Sequence, residues 1–149
     1  MTRGFVVVKD KHRTTDGEIQ LPIRSDPRSA GYDFYSPVDI VIPPNESKLF
    51  FTDVKAYMDD DEVLMLYVRS SMGKVHVVIA NGTGIIDASY YNNPDNDGNI
   101  GFHLLNLGKE DYVIRRGDRI GQGVFMKYLI TDDDNATGER SGGFGSSGK

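Results

Sequence analysis

The chain contains no cysteine and no tryptophan, and only three histidines in 149 residues. Without thiols it can build neither a disulfide framework nor a thiolate metal site, and it has no cysteine nucleophile. His12, His76 and His103 show no metal-ligand spacing, so a histidine-built zinc site is not expected. Long apolar runs are missing, and Met1 to Asp10 lacks the pattern of a signal peptide. The expectation is a soluble protein without membrane contact, working in the cytoplasm, or in a host cell's cytoplasm if its source is viral. A basic stripe is also missing. With a formal net charge of -5, broad nucleic-acid binding is not expected, and a phosphate ligand would be held locally by a few arginines and a metal ion.

No stretch keeps a helical period over three turns. The longest expected helix is a single turn near Ser70 to Lys74. What is present is strand signal: Phe5 to Val8, Asp39 to Pro43, Lys48 to Val54, Glu62 to Val68, Val75 to Ile79, Asn99 to Leu105, Asp111 to Ile114 and Gly123 to Ile130. Turn clusters such as PPNE, NGTG, NNPDNDGN and RRGD separate them. This spacing predicts an all-β sandwich, barrel or jelly roll over residues 1–131, followed by a linker and glycine-rich tail over 132–149. The acidic run Asp59 to Glu62 reads as a solvated turn, because adjacent residues do not converge on one point. Asp132 to Asp134 reads as a means of keeping the linker extended.

Five segments carry chemistry: AGYDFYSP (Ala30 to Pro37), VRSSMGK (Val68 to Lys74), NGTGIIDASYY (Asn81 to Tyr91), GDRIGQGVF (Gly117 to Phe125) and the tail ERSGGFGSSGK (Glu139 to Lys149). The tail combines glycines that admit close backbone approach, hydroxyls, the charges of Arg140 and Lys149, and one aromatic ring, Phe144. That set suits a lid over a phosphorylated ligand bearing a planar ring. Each segment alone is a weak signal.

In order and spacing they resemble the five motifs of the homotrimeric dUTPase family, from about Ala30 to Gly148. The resemblance implies a jelly roll of the β-clip kind with a flexible tail. It also implies a homotrimer whose active sites are shared between subunits. The implied reaction is hydrolysis of dUTP to dUMP and pyrophosphate, with Mg2+ held by the triphosphate and water, near Asp33, rather than by direct protein ligands. Asp87 matches the catalytic aspartate that orients the attacking water. Tyr90 matches the tyrosine that leaves no room for a 2′-hydroxyl. Asn81, Gly84, Asn99 and Ile100 fall on the uracil-binding hairpin. Arg69, Ser70, Ser71 and Gln122 match residues that meet the phosphates. From the tail, Arg140, Gly145, Ser146 and Ser147 would close on the outer phosphates, and Phe144 would stack on uracil. Asp33 and Arg119 match supporting positions, paired with each other or ordering water.

The match has departures. Val68 replaces a usual proline, which predicts a less rigid entry to the second motif. Gly121 and Gly123 flank Gln122 where bulkier residues are usual, which predicts a loosened strand. Asn92 to Asp97 (NNPDND) is an insertion, expected to lengthen the tip of the hairpin as a polar loop, with contact to a protein partner as the alternative. That alternative would make the chain a dUTP-sensing regulator. A dCTP deaminase, similar in fold, is the rival enzyme. It would need a glutamate where His103 stands, and deamination without that carboxylate lacks its acid–base group.

Overall fold

The computed structural model describes residues 2–138. Eleven strands run in chain order: β1 Gly4–Val7, β2 Tyr32–Tyr35, β3 Ile40–Ile42, β4 Ser47–Phe51, β5 Val54–Tyr57, β6 Glu62–Tyr67, β7 Val77–Ile79, β8 Gly84–Asp87, β9 Gly101–Asn106, β10 Tyr112–Ile114 and β11 Arg119–Lys127. The one α-helix among the described residues, α1, spans Ser70–Lys74, where the sequence predicts a single helical turn. All pairings are antiparallel. The order β2-β11-β6-β8 makes a four-stranded sheet and β4-β9-β7 a three-stranded one, with β1-β5 and β10-β3 as two-stranded pieces. The fold is an all-β jelly roll. Among the described residues no helix is long and apolar enough to cross a membrane.

The two larger sheets meet through alternating side chains. In β6, Leu64 and Leu66 are buried while Val63 and Met65 are half-buried. In β9, Phe102 and Leu104 alternate with the half-buried His103 and Leu105. The rings of Phe34 on β2 and Phe102 on β9 close the gap at 5.3 Å between centroids, edge to face. Each such fully buried side chain contributes about 1.5–3 kcal/mol.

Gly121 sits under this contact, beside a bulge between Arg119 and Gly121 in the β11–β2 pairing, so the strand is irregular here as expected and yet tightly packed. A Cβ there would run into the ring of Phe102 and come within 2.9 Å of the Tyr67 carbonyl, so the absent side chain is what lets β11 pack. Gly123 is confined in the same way by Leu64 and Phe34. The strand consequently starts at Arg119, not at Gly123, and stops at Lys127, short of Ile130. The half-buried Val68 packs against the core, so the entry to α1 is held without a proline.

The run predicted as one strand over Lys48 to Val54 is broken at Asp53, which takes φ +61°. Its carboxylate is fully buried and accepts the amides and hydroxyls of Thr14 and Thr15 and the Asn99 amide, at 2.7–3.0 Å. This corner fastens the N-terminal segment to the chain before β9. Burial pushes the Asp53 carboxyl up, but these donors outweigh it and leave the pKa below the usual aspartate value.

The Asn92–Asp97 insertion is likewise turned inward in part. Asn93 and Asp97 are buried, and Asp97 accepts from Lys55 Nζ and the Lys9 amide, both at 2.8 Å. Lys55 also donates to Asn92 Oδ1 at 2.6 Å and lies over the Tyr91 ring. The polar loop keeps Asn92, Pro94 and Asp95 exposed and is anchored on β5 through Lys55. Burial raises the Asp97 carboxyl, but Lys55 and the Lys9 amide bring it below its usual value. The acidic turn differs from expectation in one residue: Glu62 is buried and paired with Arg3 at 2.7 Å.

Asp53 and Asp97 have folded pKa values below the unfolded one, about 3.9. Their stabilisation is complete above that value and is lost as pH falls through it and then through the lower folded values. Urea midpoints should therefore hold steady from neutrality to about pH 5 and fall steeply below about pH 4. Asp97→Asn should start lower at neutral pH and show a shallower acid dependence.

Candidate active site

β8 and the one-turn helix after it, Ala88–Tyr90, wall a cavity of about 260 Å³. Polar or small lining residues are Asn81, Thr83, Gly84, Tyr90, Gly101 and His103, and apolar ones include Leu66, Ile79, Ile86 and Phe102. The register Leu66↔Gly84 and Val63↔Asp87 brings the end of β8 beside the start of β6. Asp87 closes β8 with an extended backbone and is exposed. It follows the lining residue Ile86 and precedes the turn that carries Tyr90. The Tyr90 side chain is buried, its hydroxyl donating to the Asn99 carbonyl at 2.7 Å. A small, half-apolar slot suits a planar base and sugar, and the exposed carboxylate of Asp87, next in the chain to the lining residue Ile86, is the nearby candidate for a water-activating group.

A second cluster lies where β2, β11 and α1 meet. Asp33 sits opposite Gln122 in the β2–β11 ladder, and Gln122 sits opposite Tyr67, two residues before Arg69. Arg69 Nε and Arg119 Nη1 approach the two Asp33 carboxylate oxygens, each at 3.6 Å. Two guanidinium groups share one carboxylate, and neither is consumed by a close bidentate bond, although Asp118 nearby balances the remaining formal charge. Arg69 and Arg119 also line a concavity of about 410 Å³ with Tyr112 and Asp118. Burial and the charge of Asp118 push the Tyr112 hydroxyl up, against Arg69, so it stays a neutral donor. Gln122 Nε2 donates to the Val68 carbonyl at 3.1 Å. Its other amide end occupies the place a Gly31 side chain would take, so a larger residue at 31 would displace the Gln122 amide. Ser70 and Ser71 are exposed on the first turn of α1. The cluster suits a polyanion.

A model of the dUTPase family matches residues 17–148. The deoxyuridine 5′-triphosphate nucleotidohydrolase of Lactococcus lactis is 44% identical over 149 residues, covering 98% of this chain and 97% of the relative. The chain belongs to the dUTPase family. A dUTPase crystal structure from Streptococcus mutans superimposes with a TM-score of 0.77 at 39% identity, covering 87% of this chain and 98% of that one. The dUTPase of phage phi11 of S. aureus, at 22% identity and a TM-score of 0.71 over 91% of this chain and 97% of that one, shares the fold. That phage structure describes the coordination of a structural Mg(II) ion.

Among the described residues of this dUTPase, no three His, Asp or Glu side chains converge as a metal cage. Asp33, the acid nearest the phosphate cluster, already faces two arginines. The donor set therefore fits Mg2+ carried mainly on ligand and water oxygens, which is the ordinary preference of that ion.

The base cavity and the arginine cluster have no lining residue in common. The structure brings together Asn81, Gly84 and Tyr90, and separately Asp33, Arg69 and Arg119. Asn99 and Ile100 stand outside the cavity lining. The Asn99 amide is bound to Asp53, its carbonyl to Tyr90, and both backbone groups of Ile100 to Thr52 and Val54. Gly101 and His103, on the alternate positions of β9, line the cavity instead, and the period of two could have pointed to them. Thr83 is a further lining residue that the motif left unmarked. Arg140, Phe144, Gly145, Ser146 and Ser147 lie outside the described residues.

Proposed function

We propose that this dUTPase hydrolyses dUTP to dUMP and pyrophosphate in sites assembled between copies of the chain. The observation that carries the reading is the split just described, a base-sized cavity walled by the strand that Asp87 closes and an arginine cluster elsewhere on the same chain. In a closed ring of three, the cavity of one copy would face the Arg69 and Gln122 of its neighbour. Uracil and deoxyribose occupy the cavity, against Asn81, Gly84 and Tyr90. Arg69, Ser70, Ser71 and Gln122 hold the triphosphate, with Asp33 and Arg119 fixing the direction of Arg69. Arg140, Ser146, Ser147 and Gly145 close on the outer phosphates, and Phe144 covers the base.

Asp87 accepts a hydrogen bond from a water aligned with the α-phosphorus and takes its proton as the new P–O bond forms. The bond from the α-phosphorus to the bridging oxygen breaks, and pyrophosphate leaves among the arginines. Mg2+, when bound on the triphosphate, neutralises charge that builds on the leaving group.

His103, exposed to the cavity at the position where deamination would need a carboxylate, speaks against release of ammonia from dCTP. Incubation with dUTP and with dCTP, assaying pyrophosphate and ammonia separately, tests the reading: pyrophosphate from dUTP alone is expected, and ammonia from dCTP would overturn it. Tyr90→Ala should narrow the dUTP to UTP preference in kcat/KM by about ten- to a hundredfold, the effect of opening a packed pocket wall. An unchanged ratio would mean that the sugar is sorted elsewhere.

A further inference from the structure

The Tyr90 hydroxyl has a second partner, and it comes from the insertion. Asn96 Nδ2 donates to Tyr90 Oη at 2.7 Å, while that hydroxyl spends its own proton on the Asn99 carbonyl. A phenol has one proton, so the remaining partner must be a donor. The Asn96 amide is oriented for this role, because its Oδ1 accepts the Gly98 amide at 3.0 Å and leaves Nδ2 facing the ring. Asn96 is held in turn. Its carbonyl accepts from the Asn99 amide at 3.1 Å, and the next residue, Asp97, is locked between Lys55 and Lys9.

We propose that Asn96 is a positioning residue for sugar selectivity, fixing the tilt of the Tyr90 ring through its hydroxyl. The inference rests on the reading of Tyr90 as the wall against a 2′-hydroxyl. With both hydroxyl bonds made, the ring cannot swing to admit the larger ribose. With one removed, it pivots on the Asn99 carbonyl and UTP gains access.

Asn96→Asp is the discriminating variant. It keeps the oxygen that takes the Gly98 amide and is nearly identical in shape, but puts a charged acceptor where the donor to Tyr90 stood, so the hydroxyl can no longer hold both partners with its one proton. The dUTP to UTP ratio of kcat/KM should fall by about three- to tenfold, the worth of one such hydrogen bond, with kcat on dUTP changing much less. In a Tyr90→Phe background, which has no hydroxyl to receive, Asn96→Asp should leave the ratio where Tyr90→Phe puts it. Asn96→Ser, which also keeps an acceptor but is too short to reach the ring, should repeat the single-variant result. An unchanged ratio in folded Asn96→Asp, or an equal drop with and without the Tyr90 hydroxyl, would overturn the proposal. So would loss of the folded state in both Asn96 variants, which would make the residue structural only. If Tyr90→Ala itself leaves the ratio unchanged, the sugar-wall reading has failed; if Tyr90→Ala shifts it and Asn96→Asp does not, only the Asn96 inference has.

Discussion

Asp87→Asn should reduce dUTP turnover by about 10²–10⁴-fold, the usual contribution of a general base, while leaving fold and nucleotide binding intact. The side chain is exposed at the end of β8 and takes no part in the core, so the substitution removes a proton acceptor without opening a cavity. Single-turnover release of pyrophosphate separates the chemical step from binding, and affinity for a non-hydrolysable dUTP analogue should stay close to the parent's. Turnover at the parental rate would remove Asp87 from the mechanism. A loss confined to KM would make it a binding group.

Lys55→Met should be the most damaging single change outside the site. The Lys55 and Asp97 side chains are 6% and 3% exposed and meet at 2.8 Å. Removing the cation leaves a buried carboxylate with only the Lys9 amide for close support, which costs about 3–5 kcal/mol in comparable buried pairs. Total stabilities of about 5–15 kcal/mol make that a large share. The urea midpoint, measured at one fixed protein concentration, should drop accordingly. Replacing both partners, with Lys55→Met and Asp97→Leu together, should recover part of the loss because no charge is then stranded. A single variant as stable as the parent would mean that water reaches the pair.

The sequence made the strands of high β-branched content legible, β6 and β9 above all, because period-two burial leaves its mark on composition. It hid β2 and β8, whose residues read as motif and turn rather than as strand. The break at Asp53 was invisible for another reason: it depends on threonines 38 and 39 positions away that satisfy a buried carboxylate. The same holds for the insertion. NNPDND has the composition of a solvated loop, and only Lys55, distant in sequence, anchors it on β5. Gly121 shows the reverse, a residue that looks permissive locally and is demanded by Phe102 across the sheets. At the site, Tyr90 from the third motif lines the cavity, while Asp33, Arg69 and Gln122 from the first, second and fourth motifs lie close together elsewhere on the chain. Gly101 and His103 as lining residues were open to the period of two in β9, whereas Asn96 escaped because its role comes from contact, not from spacing.

The central claim is that the cavity half and the arginine half work only when joined between copies. Asp87→Asn and Arg69→Ala, each nearly inactive alone, should be mixed under conditions that exchange subunits, and pyrophosphate release from dUTP followed. Random assortment around a closed ring pairs an intact Arg69 with a neighbour's intact Asp87 in about one site in four, so roughly a quarter of the parental activity should return. Mixtures that stay as inactive as their parents, although light scattering shows the subunits have exchanged, would contradict the account.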